Sequence, residues 1–288
     1  MERIIKINSL PSLKDPILIA GFEGWGNALG VASAMISYLV RRNEAPVFAK
    51  LDPDLFYRFD EMRPTVTIEE GRLKSLSPPG GTFYVAEPEK GRRSLVLFEA
   101  NEPQTRWITF VREILDLCHK LGINMLITLG SMYDNVLHTD QVISGMASSE
   151  SLIKFLESHN IIAIEYQGPS AIHSTFHWEA QRRGIDSVSL WCHCPFYIQG
   201  ATHFGLLARL CQVLGRLCGF QLDTQDLESG WKELKTQIQA LIEKNPDLQE
   251  VVEELRRAKV RGSWATIKAS SQKNGKVIHL RDFLKPTS

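Results

Sequence analysis

The stretch Pro16 to Val40, PILIAGFEGWGNALGVASAMISYLV, decides the fold class. Ile17, Leu18, Ile19 and Ala20 form an unbroken apolar run between Pro16 and Gly21, the pattern of a short strand buried on both faces. A glycine-rich turn follows. From Asn27 the apolar residues change to helical spacing, with Ala28, Val31, Met35 and Leu39 on one side and Tyr38, Arg41 and Arg42 closing the last turn. A loop of this kind places backbone N–H groups at a helix N-terminus beyond the carboxyl end of a strand, where anions and dinucleotides bind. The spacing argues against a nucleotide. The pattern GxGxxG begun at Gly24 meets Leu29 in place of the third glycine, and the phosphate loop begun at Gly21 reaches Gly26 but then shows Asn27 and Ala28 instead of Lys and Ser or Thr. The glycines are expected to be structural, allowing positive φ and close packing of helix on strand.

Working outward, the 288 residues are enough for one large α/β domain or two small ones. Lys and Arg total 33, as do Asp and Glu, so no net charge draws the chain to nucleic acid or an anionic membrane. MERIIKINSLPSLKD has no apolar core of signal-peptide length, and no apolar run approaches the roughly 18 residues of a membrane span, so a cytoplasmic protein is expected. The five cysteines, Cys118, Cys192, Cys194, Cys211 and Cys218, read as reduced, packed thiols.

Arg3 to Ile7 reads as an edge strand and Pro46 to Leu51 as a second strand after the first strand and helix, with Asp52 to Met62 a short acidic and aromatic connection. Thr65 to Glu69, Thr82 to Glu87 and Ser94 to Glu99 are β-rich, separated by GRLKSLSPPGG and PEKGRR, as in an antiparallel meander. Then helix and strand alternate: Thr105 to Leu121 helical, Ile123 to Leu129 strand, Ala147 to Ser158 helical, Ile161 to Tyr166 strand, Ala171 to Arg183 helical, Ser187 to Cys192 strand, Ala201 to Leu217 helical. The alternation predicts a three-layer α/β/α sandwich on a mostly parallel mixed sheet over 1–222. Residues 223–260 predict a C-terminal helical hairpin broken at Asn245-Pro246, its two apolar stripes requiring cover from its own body or a neighbour. The basic, Ser-rich segment 261–288 is expected to be loosely ordered apart from a short strand at Lys276 to Leu280.

In a parallel sheet, ligands sit beyond the carboxyl ends of the strands. The loops there bring Glu23, Gly24, Asn27, Glu102, Arg106, Ser131, Asp134, His138, Tyr166 and Tyr197 into play, a set able to bind a small anionic or nucleoside ligand, with Arg106 and a helix N-terminus on a carboxylate or phosphate. Turns and helix caps account for the same residues. Ser131, Asp134 and His138 are the residue types of a nucleophile relay, but no GxSxG elbow accompanies them. His173 and His177 with Cys192, His193 and Cys194 lack the paired spacing of a zinc site, so no metal and no cofactor are expected; Cys192 and Cys194 share one strand face and His193 takes the other. Trp191, Phe196 and Tyr197 have no basic stripe beside them and read as core or interface rather than a base-stacking platform.

The turn Gly21 to Gly30, GFEGWGNALG, resembles the opening signature of the PAC2 family, the proteasome assembly chaperone 2 family. Further matches follow in that family's order: Tyr57 and Phe59 before Arg63-Pro64, Glu102-Pro103 before Arg106-Trp107, Leu129-Gly130 before His138-Thr139, Tyr166-x-Gly168-Pro169, and Ser189-Leu190-Trp191 before Pro195 and Tyr197. The resemblance runs from about Ile17 to Arg257 and implies a fold similar to nucleoside phosphorylases and peptidyl-tRNA hydrolases. It implies a chaperone or scaffold that acts through protein contacts without established catalysis, forming a homo-oligomer, with a trimer expected, that binds a protein partner and neither nucleic acid nor membrane. An enzyme with a nucleoside-phosphorylase-like site is the alternative. Archaeal relatives that dock on proteasome rings end in a hydrophobic residue, a tyrosine and one further residue, whereas this chain ends Lys285-Pro286-Thr287-Ser288, so docking by such a tail is not expected.

Overall fold

The computed structural model describes residues 4–86, 93–260 and 278–279. In chain order the elements are β1 (Ile5–Ile7), β2 (Ile17–Glu23), α1 (Val31–Arg42), β3 (Val47–Leu51), β4 (Thr65–Glu69), β5 (Arg72–Ser77), β6 (Gly81–Ala86) and β7 (Leu95–Asn101). They continue with α2 (Trp107–Lys120), β8 (Met125–Asp134), β9 (Ile143–Ala147), α3 (Glu150–Ser158), β10 (Ile162–Ala163), α4 (Ile172–Arg182) and β11 (Asp186–Pro195). The rest are β12 (Ile198–Gln199), α5 (Phe204–Cys218), α6 (Gln225–Lys244), α7 (Pro246–Val260) and β13 (Ile278–His279).

Nine strands form one sheet in the order β1-β3-β6-β7-β2-β8-β11-β9-β10. The run Ile17 to Ala20 is its centre: β2 pairs in parallel with β7 on one side and β8 on the other, and β8 pairs in parallel with β11. These four inner strands form the continuous parallel block of the sheet. On one flank β6, β3 and β1 follow antiparallel; on the other β9 is antiparallel to β11 and β10 parallel to β9.

The unbroken apolar run is explained by cover on both faces. Ile17 and Ile19 point into a core shared with α1, α3 and α5, where Met35, Ile36, Leu210 and Leu214 are buried. Leu18, Ala20 and Phe22 point to the opposite core with α2 and α4, where Phe98, Phe110 and Phe176 pack edge-on and tilted around Phe22. Each fully buried side chain of this size contributes about 1.5–3 kcal/mol of transfer free energy. Gly21 closes the helix onto the strand: a Cβ there would meet the Ala32 carbonyl oxygen at 2.9 Å and Ile36 Cγ1 at 2.8 Å.

Four expectations change. Ile161 to Tyr166, read as a strand, is one only over β10, Ile162–Ala163. Arg72 to Ser77, read as a separator, is β5, which turns back on β4 as a ribbon outside the main sheet. Ile143 to Ala147, between the expected strands, is β9; its ISGMA sequence carries three small residues and little alternation. Strands β8 and β11 also run on to Asp134 and Pro195, so Ser131 and Asp134 lie on a strand and not in a loop.

The hairpin α6–α7 covers its own body. Leu234, Ile238 and Ile242 of α6 and Leu248, Val252 and Leu255 of α7 are buried together with Tyr197 and Ile198. Trp231 stacks on His203 at the start of α5, ring centroids 4.6 Å apart. The Tyr38 hydroxyl donates to Asp226, and Lys259 meets Asp140 at 2.6 Å. Of 261–288 only Ile278–His279 is described; it pairs in parallel with β12, within the expected strand, and the remainder of that expectation lies outside the described residues.

Candidate functional site

The carboxyl ends of β2, β7, β8 and β11 meet at the Gly24–Asn27 turn, and four of the polar side chains singled out in the sequence, Glu23, Asn27, Glu102 and Ser131, are spent holding it. Asn27 Nδ2 donates to Glu23 and to Ser33 Oγ, both at 2.9 Å, while its Oδ1 accepts the Ala32 N–H. Ser131 donates through N–H to Gly26 O and through Oγ to Ala28 O, locking the turn to β8. Gly24 sits at φ +145°, and a Cβ on it would lie 2.8 Å from that of Glu102. The Glu102 carboxylate accepts the Ile172 N–H at 2.8 Å, an acidic cap at the N-terminus of α4, and the Trp25 N–H at 3.3 Å. Arg106, at φ +55°, is exposed and precedes α2.

His138 and Tyr197 lie apart from that turn, buried beneath the α6–α7 hairpin: the Tyr197 hydroxyl is 2.8 Å from both the backbone nitrogen and Nδ1 of His138. Burial pushes the His138 imidazole down to about 4, helped by positive charge on Lys235 and Arg256 and by neighbouring His203. Burial raises the Tyr197 phenol. Tyr166 stands at the rim, 63% exposed, donating to Pro169 O. The structure thus joins Glu23, Gly24, Asn27, Glu102 and Ser131, joins His138 to Tyr197, and leaves Arg106 and Tyr166 at the surface. A concavity of about 670 Å³ lies at the far end of α5, lined by Cys211, Arg216, Phe220 and Thr224 among others, away from this turn.

The family model for the PAC2 family matches residues 18–242. This chain belongs to the PAC2 family. Among solved structures, a PAC2 family protein from Streptomyces avermitilis is 28% identical, covering 83% of this chain and 100% of its own, with a TM-score of 0.75. A proteasome-assembly chaperone homologue of Mycobacterium tuberculosis, 24% identical, covers 82% of this chain and 99% of its own at a TM-score of 0.74. The Pyrococcus furiosus archaeal proteasome activator PbaB is 17% identical over 82% of this chain and 97% of its own, with a TM-score of 0.64, a likeness of fold. No curated protein matches the chain.

In this PAC2 protein Asp134 does orient a histidine, but it is His193. His193 Nδ1 is 2.7 Å from Asp134 Oδ2 and its Nε2 is 2.8 Å from Ser144 Oγ. Ser131 and His138, the other members suggested by the sequence, are committed to Ala28 and Tyr197. The pleat supplied half of this arrangement: Cys192 and Cys194 are buried in the α1–α5 core, so His193 faces the other side. Ser144 had no signal, because its strand had none. His173, on α4, donates from Nε2 to Leu129 O and packs against Trp191 and Phe22. Among the described residues no group of three or more His, Cys, Asp or Glu is placed to hold a metal, and no helix is long and apolar enough to cross a membrane.

Proposed function

We propose that this PAC2 protein acts through protein contacts, as a homo-oligomeric chaperone or scaffold resembling the proteasome-assembly chaperones. The observation that carries the reading is the β4–β5 ribbon. Val66 faces Leu76 and Ile68 faces Leu73 across it, and directly opposed residues share a face. These four side chains are 55–62% exposed, and every residue of both strands is exposed. A ribbon with one apolar face has its folding reason in a partner, since a lone two-stranded hairpin is marginal in water. The α6–α7 hairpin, whose stripes were expected to be covered by its own body or by a neighbour, has them buried within the chain.

Self-association through this face gives a closed ring, and the family resemblance favours a trimer. Zero net charge leaves no global repulsion between copies. Light scattering at micromolar concentration should give three times the 32.6 kDa of one chain. The pair Ile68→Asp and Leu73→Asp should return the mass to one chain with an unchanged melting temperature, because neither side chain is in the core. A wild-type mass of one chain overturns the proposal; a dimer keeps assembly and refutes the trimer.

A further inference from the structure

We propose that Ser144, His193 and Asp134 form an acyl-transfer site that takes small, uncharged carboxylic esters. The case begins with what each ring nitrogen of His193 meets. Asp134 Oδ2 lies 2.7 Å from Nδ1, so Nδ1 carries the proton and donates it to the carboxylate. That leaves Nε2 as the acceptor, and the Ser144 hydroxyl, 2.8 Å away, donates to it. Aspartate on one nitrogen and serine on the other is the hydrogen-bond order of an activated hydroxyl. The three buried histidines are held differently: the His138 ring bonds the Tyr197 hydroxyl and the His173 ring the Leu129 carbonyl, neither meeting a carboxylate, and His203 is tied to backbone groups of His138 and Leu206.

The framework around the relay is rigid. Asp134 ends β8, its Oδ1 accepting the Asn135 N–H at 2.7 Å. His193 lies on β11, with its own N–H donated to Val142 O, and Ser144 is paired to Trp191 of β11 and Ile162 of β10. Three strands therefore fix the three side chains, the condition under which proximity and orientation lower a barrier.

Access sets the substrate class. The His193 side chain is 12% exposed and that of Asp134 30%, whereas Ser144 is only 3% exposed, so a polypeptide is excluded and the proposed substrate is limited to a short acyl group entering from the His193 side. Met132 sits beside His193 in register and Trp191 two residues before it on the same strand face, so the wall is apolar and suits an uncharged acyl chain. In the forward step Ser144 Oγ bonds the ester carbonyl carbon and its proton passes to His193 Nε2. The carbon–oxygen bond to the alcohol breaks, and the alcohol leaves with that proton. Water then attacks the acyl-serine by the same route and releases the carboxylic acid. Asp134 is the positioning residue.

The probe is p-nitrophenyl acetate with the full-length protein, reading nitrophenol release and locating the acetyl group by peptide mass spectrometry. Acetylation on Ser144 is expected, absent in Ser144→Ala and slowed about 100-fold in His193→Gln, the usual worth of a positioned base. Asp134→Asn should slow it as well and remove the low-field proton resonance of the His193 Nδ1–H, which a purely structural carboxylate elsewhere would leave in place. Melting curves on each variant show that it is folded, and the site of acetylation on the wild type needs no variant at all. Acetyl found only on lysines or other serines overturns the proposal, as does Ser144 acetylation at the wild-type rate in His193→Gln.

Discussion

At Gly24 the backbone occupies a φ of +145° that side chains rarely adopt, and the position of a Cβ is already filled by Glu102. Gly24→Ala should therefore cost about 1–3 kcal/mol from backbone strain and displacement of the Glu102 cap. A chemical denaturation midpoint equal to wild type would show that the turn relaxes without cost. The histidines make a second residue-scale prediction. Burial lowers His138, His173 and His203 to about 4 from 6.5, so the folded state keeps them neutral where the unfolded chain takes up protons. Their contribution is complete above pH 6.5 and is lost as pH falls from there toward 4, on the order of a few kcal/mol for each. His138 faces His203, Lys235, Arg256 and Asp140; His173 faces Phe22, Trp191 and the Leu129 carbonyl; His203 faces Trp231. Urea midpoints measured from pH 7.5 to 4.5 should hold down to about pH 6.5 and fall below it, and a flat profile would contradict the neutral, buried assignment. The sequence could not separate these three histidines from His193, because which of them is buried depends on where α4 and the α6–α7 hairpin land.

At the scale of elements, legibility followed the strength of the periodic signal. The run Ile17 to Ala20 and the stripe Trp107, Phe110, Val111, Ile114 and Leu117 each state their partner layer, since apolar content on two faces or on one helical side admits a single arrangement. What was missed lacks that content. Strand β9 is defined by the backbone it borrows from β11, and β5 by the strand it folds back on, so both depend on pairing and not on their own residues. This is also why the Ser144 end of the candidate relay was hidden while Asp134 and His193 were visible. The α6–α7 hairpin gives a direct test at this scale. Ile238, 2% exposed between Tyr197 and the facing α7 residues, should cost about 2–5 kcal/mol when changed to Ala. A loss below 1 kcal/mol, read as a melting shift, would mean the hairpin is docked more loosely than its packing shows.

For the molecule as a whole, the nine-stranded sheet ties nearly everything to one body, and the β4–β5 ribbon is the exception. It is inserted between β3 and β6, which are themselves hydrogen-bonded neighbours, so the sheet is continuous whether the ribbon is long, short or reshaped. Deleting 65–77 and closing the gap with a short flexible linker should leave the melting temperature within a few degrees while abolishing assembly; cooperative loss of the fold would place the ribbon in the body instead. Its eleven exposed residues carry no share of either core. Substitutions there draw nothing from the thin margin by which the domain stays folded. If the ribbon is the contact surface proposed above, what this protein touches can drift under selection independently of what keeps it folded, and descendants of one scaffold can acquire different partners without first acquiring extra stability.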